Sequence, residues 1–218
     1  MIKFTGSLIF LLVSVLSGVF ARSGSEGSYF WNTLVVNCQL NSKYELTFIN
    51  KEHYNNQINR FDFYYLDLAG YRKVNPHLSV GLGYRKSESY KSTQWNTGNN
   101  YFLYGVYFAS PGSIKLKISN RFGYKTFYQA DSQYAWDNIS NLDFFTKSSS
   151  KLPKPYLSQE LFSELKSMKI QNYRLFGGFH LLRKEHFGID IYYCYWKARA
   201  EPDWKIYNVF GLSTKFLI

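Results

Sequence analysis

Four histidines, His53, His77, His180 and His186, are the side chains of this chain best suited to moving a proton near neutral pH. A lipid hydrolase would set one of them beside a serine, the imidazole taking the hydroxyl proton. His77-Leu78-Ser79 puts a histidine two residues before a serine, but it follows the Asn75-Pro76 turn and reads as polar rim. His53 sits beside Glu52 near an expected external loop, with no serine motif in company. His180 shares parity with Arg174, and His186 falls in a turn. No His/Cys/Asp/Glu spacing suggests a metal site, and no Gly-rich loop follows a strand and opens a helix. The expectation is therefore no catalytic residue, no metal and no cofactor.

Charge is the richer signal. In Ile114, Leu116, Ile118, Phe122 and Tyr124, apolar residues alternate with Lys115, Lys117, Ser119, Arg121, Gly123 and Lys125. A strand turns successive side chains to opposite faces, so this run has one greasy and one basic face. Leu78, Val80, Leu82 and Tyr84 repeat the pattern against Ser79, Gly81, Gly83 and Arg85, and Tyr44, Leu46 and Phe48 against Lys43, Glu45 and Thr47. The last segment sets Ile206, Phe210, Leu212, Phe216 and Ile218 against Gly211, Ser213 and Lys215. Followed along the chain, one face collects Glu45, Arg85, Lys115, Lys117, Arg121, Lys125, Glu160, Glu164, Arg174 and Asp190. Charges turned inward must pair with one another or meet water. Two readings stay open: a salt-bridged plug, or a weakly basic lumen that binds or passes small anionic solutes.

The elements that would hold such a face are long strands. The chain has 218 residues, 20% of them aromatic, with 20 Tyr and 19 Phe, which favours pleated, half-buried surfaces. Ten strands are expected, near 43–52, 59–72, 77–88, 99–109, 113–128, 134–147, 155–166, 169–182, 187–198 and 205–217. Twelve are possible if residues 22–42 add a pair; otherwise that segment enters the lumen or lies beneath it. Runs above ten residues are long for a soluble strand and suited to crossing a bilayer at a tilt. Leu157, Leu161, Leu165 and Met168 also fit helical spacing, but a lone helix would leave neighbouring strands without a ladder partner, so a strand is expected. Short turns are predicted at 73–76, 110–112 and 183–186, and longer polar connections near 53–58, 88–98 and 199–205, an alternation typical of a membrane barrel. An even count would put both chain ends at the same, periplasmic, rim.

Residues 1–21 read as a cleaved secretory signal: Lys3, an apolar core from Leu8 to Leu16, then Val19-Phe20-Ala21 before Arg22. The run is too short for a membrane-spanning helix. Its removal takes Lys3, lowering the net charge from +11 to +10. Export argues against nucleic acid as a partner, whatever the charge; lipid head groups or acidic solutes suit an exported basic chain better. Cys38 and Cys194 are the only thiols, and their pairing is left open by sequence. Tyr71, Tyr84, Trp95, Tyr101, Trp196 and Trp204 read as interfacial girdle residues, with Trp95 and Trp204 as possible external-loop binding platforms. Gly81, Gly83, Gly177 and Gly178 read as relief from crowding inside a barrel.

Trp31, the run Asn75-Pro76-His77-Leu78-Ser79-Val80-Gly81-Leu82-Gly83-Tyr84, Asn120-Arg121-Phe122, the stretch from Pro155 to Phe162, and Tyr173-Arg174-Leu175-Phe176-Gly177-Gly178 together carry a resemblance. The chain resembles the outer-membrane barrel family catalogued as domain of unknown function 2490, over about residues 30–218. The resemblance implies an exported Gram-negative outer-membrane barrel of undefined activity, with no catalytic residues to transfer. His77-Leu78-Ser79 separately resembles part of a barrel-deacylase motif, which continues with Asn where Val80 stands. Outer-membrane barrels usually end in an aromatic residue read by the assembly machinery; this chain ends Phe216-Leu217-Ile218, keeping the apolar parity.

The expectation is an all-β, transmembrane, antiparallel up-and-down barrel over residues 43–218, monomeric and non-catalytic, with outer-membrane lipid and the assembly machinery as partners. Its role would be structural, binding or narrow-channel, with a largely plugged lumen. The alternatives are an outer-membrane lipid hydrolase, with His53 the first residue to test, and a soluble periplasmic barrel binding an apolar ligand.

Overall fold

A computed structural model describes residues 27–91, 93–127, 130–144, 153–200 and 202–218. The expected signal, residues 1–21, lies outside the described residues. The described chain forms eleven strands: β1 Gly27–Gln39, β2 Tyr44–Asn55, β3 Arg60–Asn75, β4 Leu78–Lys91, β5 Gln94–Ala109, β6 Ile114–Phe127, β7 Ala130–Phe144, β8 Lys154–Glu164, β9 Lys169–Arg183, β10 Phe187–Ala200 and β11 Asp203–Leu217. Each pairs antiparallel with its sequence neighbours, and β1 closes the cylinder by pairing parallel with β11. Closure leaves no free strand edge around the wall. Of the residues that also fit helical spacing, Leu157 and Leu161 lie in strand β8, paired with β7 and β9, while Leu165 and Met168 fall in the turn that follows it.

The strand count corrects the even number expected. Residues 31–40 neither enter the lumen nor supply a pair of strands; they lie mostly in β1, the strand that completes the wall, so the described barrel already includes Gly27 and does not start near residue 43, while residues 22–26 of the expected N-terminal segment lie outside the described residues. With eleven strands, Gly27 and Leu217 lie at opposite rims, and the ends do not share one side. The rim carrying the β2–β3, β4–β5, β6–β7, β8–β9 and β10–β11 connections is called the upper rim here, and the rim of the C-terminus the lower. The long polar connections expected near 88–98 and 199–205 are instead strand, with only residues 92–93 and 201–202 between the paired elements. Their polar side chains do not hinder the ladder, because the backbone supplies it whatever the side chain.

The alternation inferred from sequence holds in each of the clean runs. Phe48, Leu68, Leu82, Leu103, Phe122 and Phe210 stand exposed on the outer wall. Tyr84, Tyr101, Tyr124 and Tyr134 lie in one register row across β4, β5, β6 and β7, all exposed. Adjacent members pack ring to ring, at 5.4 Å for Tyr84–Tyr101 and 5.1 Å for Tyr124–Tyr134. From Tyr124 down to Ile114 the outward residues of β6 are apolar except Asn120, which accepts a hydrogen bond of 2.9 Å from Asn138 Nδ2 on β7.

Inside, glycines make room for rings. A Cβ on Gly81 would come within 2.6 Å of the Tyr71 ring, on Gly123 within 2.9 Å of Phe102, and on Gly178 within 2.7 Å of Tyr156. Gly211 is covered still more closely by Tyr192. All four are direct cross-strand pairs, so each ring lies flat over its neighbour's bare backbone. Crowding relief was legible at Gly81, Gly83 and Gly178. Tyr71 and Trp196, expected in the outer girdle, turn inward: Tyr71 packs on Tyr104 at 5.3 Å and Trp196 on Tyr207 at 4.8 Å. Composition identifies an aromatic, but only strand parity assigns its face.

Candidate functional site: a charged lumen

Alternate residues of every strand project into the barrel, and β-bulges adjust which of them meet. Between His53 and Tyr54 the β2–β3 register slips by one, so that Asp62 and Phe63 both face the lumen. Asp62 there accepts hydrogen bonds from Asn55 Nδ2 (2.9 Å) and the Tyr29 hydroxyl (3.1 Å). A second slip, between Ile189 and Asp190, brings Asp190 opposite His180.

Three ion pairs span the middle of the lumen. Arg121 Nε donates to Asp137 at 2.7 Å, and both side chains are almost fully buried. Arg85 donates to Asp67 from Nε at 3.1 Å and from its terminal nitrogen at 2.5 Å, with Tyr65 beneath its guanidinium. Arg174 donates to Glu160 at 3.1 Å. Toward the lower rim His180 lies between two carboxylates, Nδ1 2.7 Å from Asp190 and Nε2 3.2 Å from Asp143. Tyr156 stacks on the same imidazole, and the second oxygen of Asp190 accepts from Lys215 Nζ at 2.6 Å.

These groups surround a cavity of about 1000 Å³ whose lining runs from Tyr90 and Asn96 at the upper rim to Asn37 and Glu45 at the lower. Seven cations line it, Lys51, Arg85, Lys117, Arg121, Lys125, Arg174 and Lys215, against five carboxylates, Glu45, Asp62, Asp67, Glu160 and Glu164. Asp137 and Asp190, buried behind the lining against Arg121 and Lys215, bring the two signs level. Of the face inferred from sequence, Glu45, Arg85, Lys117, Arg121, Lys125, Glu160, Glu164 and Arg174 line the cavity. Asp190 is buried in the His180–Lys215 cluster, and Lys115 shares the inward parity of β6 opposite Asp143.

Trp95 and Trp204 do not come from loops, as expected, but from the upper ends of β5 and β11. Trp95 packs on Tyr64 and Tyr90, at 5.5 and 5.6 Å, and Trp204 lies 5.1 Å from Lys197 Nζ. The structure brings neither to the lumen nor to the other. Cys38 and Cys194 are unpaired, Cys194 turned inward and fully buried.

His53, expected at an external loop, is instead inside, 3% exposed and stacked on Trp31 with ring centroids 4.1 Å apart. Among the described residues no serine or cysteine side chain is hydrogen-bonded to a histidine ring; the His77 and His186 rings meet the backbone carbonyls of Phe108 and Leu217. Sequence reasoning did not single out Lys51, Trp31, Asp67, Asp137, Asp143 or Lys215 as site residues. Lys51 and His53 continue the parity of Glu45 and Thr47, but Ile49 interrupts it with an apolar inward residue. Asp67 and Asp137 lie in runs with too little alternation to orient.

In this aromatic-walled lumen the charges of the described residues are arranged mostly as pairs rather than around a nucleophile. No curated protein and no solved structure matches the chain. The profile of the family described as Protein of unknown function (DUF2490) matches residues 29–207, and the chain belongs to that family.

Proposed function

We propose that this protein is exported by residues 1–21, resides in an outer membrane, and serves there without catalysis as a narrow, charge-lined β-barrel that binds or slowly passes small anions. The observation that carries the reading is the inversion of the wall: exposed Leu, Phe and Tyr outside, paired charges inside. From Ile114 to Tyr124 the outer face of β6 covers about the height of a lipid-facing band, roughly 25 Å, and the tyrosine row supplies an aromatic border of the kind found at bilayer interfaces. The same exposed residues disfavour a soluble ligand-binding barrel, which would present a polar exterior. The protein acts as a monomer, its partners being membrane lipid and the assembly machinery during biogenesis.

The test is fractionation followed by reconstitution. The protein is expected to stay with the membrane through alkaline carbonate washing and to need detergent for extraction. In planar bilayers it should give weak or no current, and any current should favour anions. Release without detergent would sink the membrane assignment, and a steady open pore passing large solutes would sink the narrow lumen.

A further inference from the structure

Lys51 differs from the other cations of the lumen. Arg85, Arg121, Arg174 and Lys215 each hold a carboxylate within 3.1 Å, and Lys125 has Asp137 at 3.9 Å. Lys117 lies at the exposed end of β6. Lys51 is 7% exposed, lines the cavity, and has no carboxylate within ion-pairing distance among the described residues. Its ammonium rests 4.0 Å from the Trp31 ring centre and 5.9 Å from that of Phe176. A cation–π contact offsets only part of the loss of water around an ammonium group.

The groups beside it are short of acceptors too. Trp31 Nε1 and Arg174 Nε, both obligate donors, are buried with no hydrogen-bond partner, and His53 Nε2 is likewise unpartnered. The Arg174 guanidinium carbon lies 4.9 Å from the indole centre that Lys51 approaches. Glu160 is the carboxylate at this level, and Arg174 occupies it. Those nitrogens are closed off from the cavity, so no local acceptor offsets the charge, and Lys51, which does line it, marks the place for an acceptor with negative charge.

The walls narrow the class of anion. Phe63 packs 4.8 Å from the His53 ring, Phe162 lies 4.7 Å from the Arg174 guanidinium, and Trp196 lies 5.6 Å from Trp31. Phe63, Phe162 and Trp196 all line the cavity. Flat apolar surfaces around two cations suit a flat apolar body with one charged end. We propose that the lumen seats a small aromatic carboxylate, its charged end at Lys51 and Arg174 and its ring among Phe63, Phe162 and Trp196. This rests on the reading of the lumen as anion-binding but not on membrane insertion.

The test uses the folded chain in neutral detergent, with benzoate titrated against tryptophan fluorescence, which Trp31 and Trp196 supply at the seat. Acetate, benzyl alcohol and inorganic phosphate are the comparison probes. Benzoate should give a saturable change; acetate should bind about tenfold more weakly, and benzyl alcohol should give no saturable response. Lys51→Met, which removes the charge and keeps the stem, should weaken benzoate by about tenfold or more, while Lys184→Met, in the exposed β9–β10 connection and outside the cavity lining, leaves it unchanged. Circular dichroism confirms the strands of each variant. Should Lys51→Met not fold, Arg174→Lys, which keeps the charge and loses the fork, should show the weakening in its place. A flat benzoate titration, an equal response to benzyl alcohol, tighter phosphate than benzoate, or unchanged affinity in the folded variant would overturn the proposal. Flotation of the same preparation with lipid vesicles reports membrane insertion separately, so the two failures stay distinct.

Discussion

Arg121 and Phe122 are neighbours in β6 with opposite fates: the arginine is 5% exposed against Asp137, and the phenylalanine is 54% exposed on the outer wall. The contrast runs through the barrel. Phe102 is buried and Leu103 open; Asp67 is buried and Leu68 open. In a water-soluble domain the long apolar side chains would be inside and the charges out. The lesson is that each face is matched to its own surroundings: the inner one relies on specific pairs, the outer one only on being greasy.

That comparison can be broken most sharply from the inside. Asp137→Ala leaves Arg121 buried without its partner, and the loss should be about 3–5 kcal/mol, read from the urea midpoint of the protein in lipid vesicles. The double variant Arg121→Met with Asp137→Leu should recover much of it, because the expense lies in stranding one charge rather than in lacking the pair. A loss below 1 kcal/mol (~0–1, the range of exposed pairs) for the single variant would mean that water already reaches Arg121.

On the proposed membrane reading, the outer face answers to depth instead of to partners. Ile118→Arg, at mid-height on β6, should destabilise the vesicle-embedded protein by about 2–4 kcal/mol, and Tyr124→Arg, at the aromatic border, by about 0–1 kcal/mol. Equal effects at the two positions would remove the case for a lipid-facing band. A smaller change, felt through shape alone, is Gly178→Ala. Its methyl would press on the Ile191 carbonyl oxygen at 2.5 Å and the Tyr156 ring at 2.7 Å, so backbone and ring must both shift, and a loss of about 1–3 kcal/mol is expected from the same unfolding curve.

Much of the architecture is legible in the sequence. The inward face assembled from Glu45, Arg85, Lys117, Arg121, Lys125, Glu160, Glu164 and Arg174 lines the cavity as read, because alternation is a property of one strand and its neighbours in sequence. What stayed hidden was of another kind. Trp31 lies opposite His53 on β2 and Gly211 on β11, a meeting of three strands that spans most of the chain. Residues 27–39 show little alternation, so nothing local marked them as the closing strand. Asp67 and Asp137, the partners of Arg85 and Arg121, occupy runs whose inward residues include Ala69 and Ala135 and therefore do not contrast in polarity.

By itself the sequence determined that this chain makes long strands with one greasy and one charged face, since side chains in an extended backbone must alternate. Only the tertiary structure decided that eleven strands close with a parallel seam, that His53 lies under Trp31 rather than in a loop, and that Lys51 is the cation left over. Those outcomes depend on register between strands far apart in the chain, and on bulges that shift it by one residue, which no local pattern encodes.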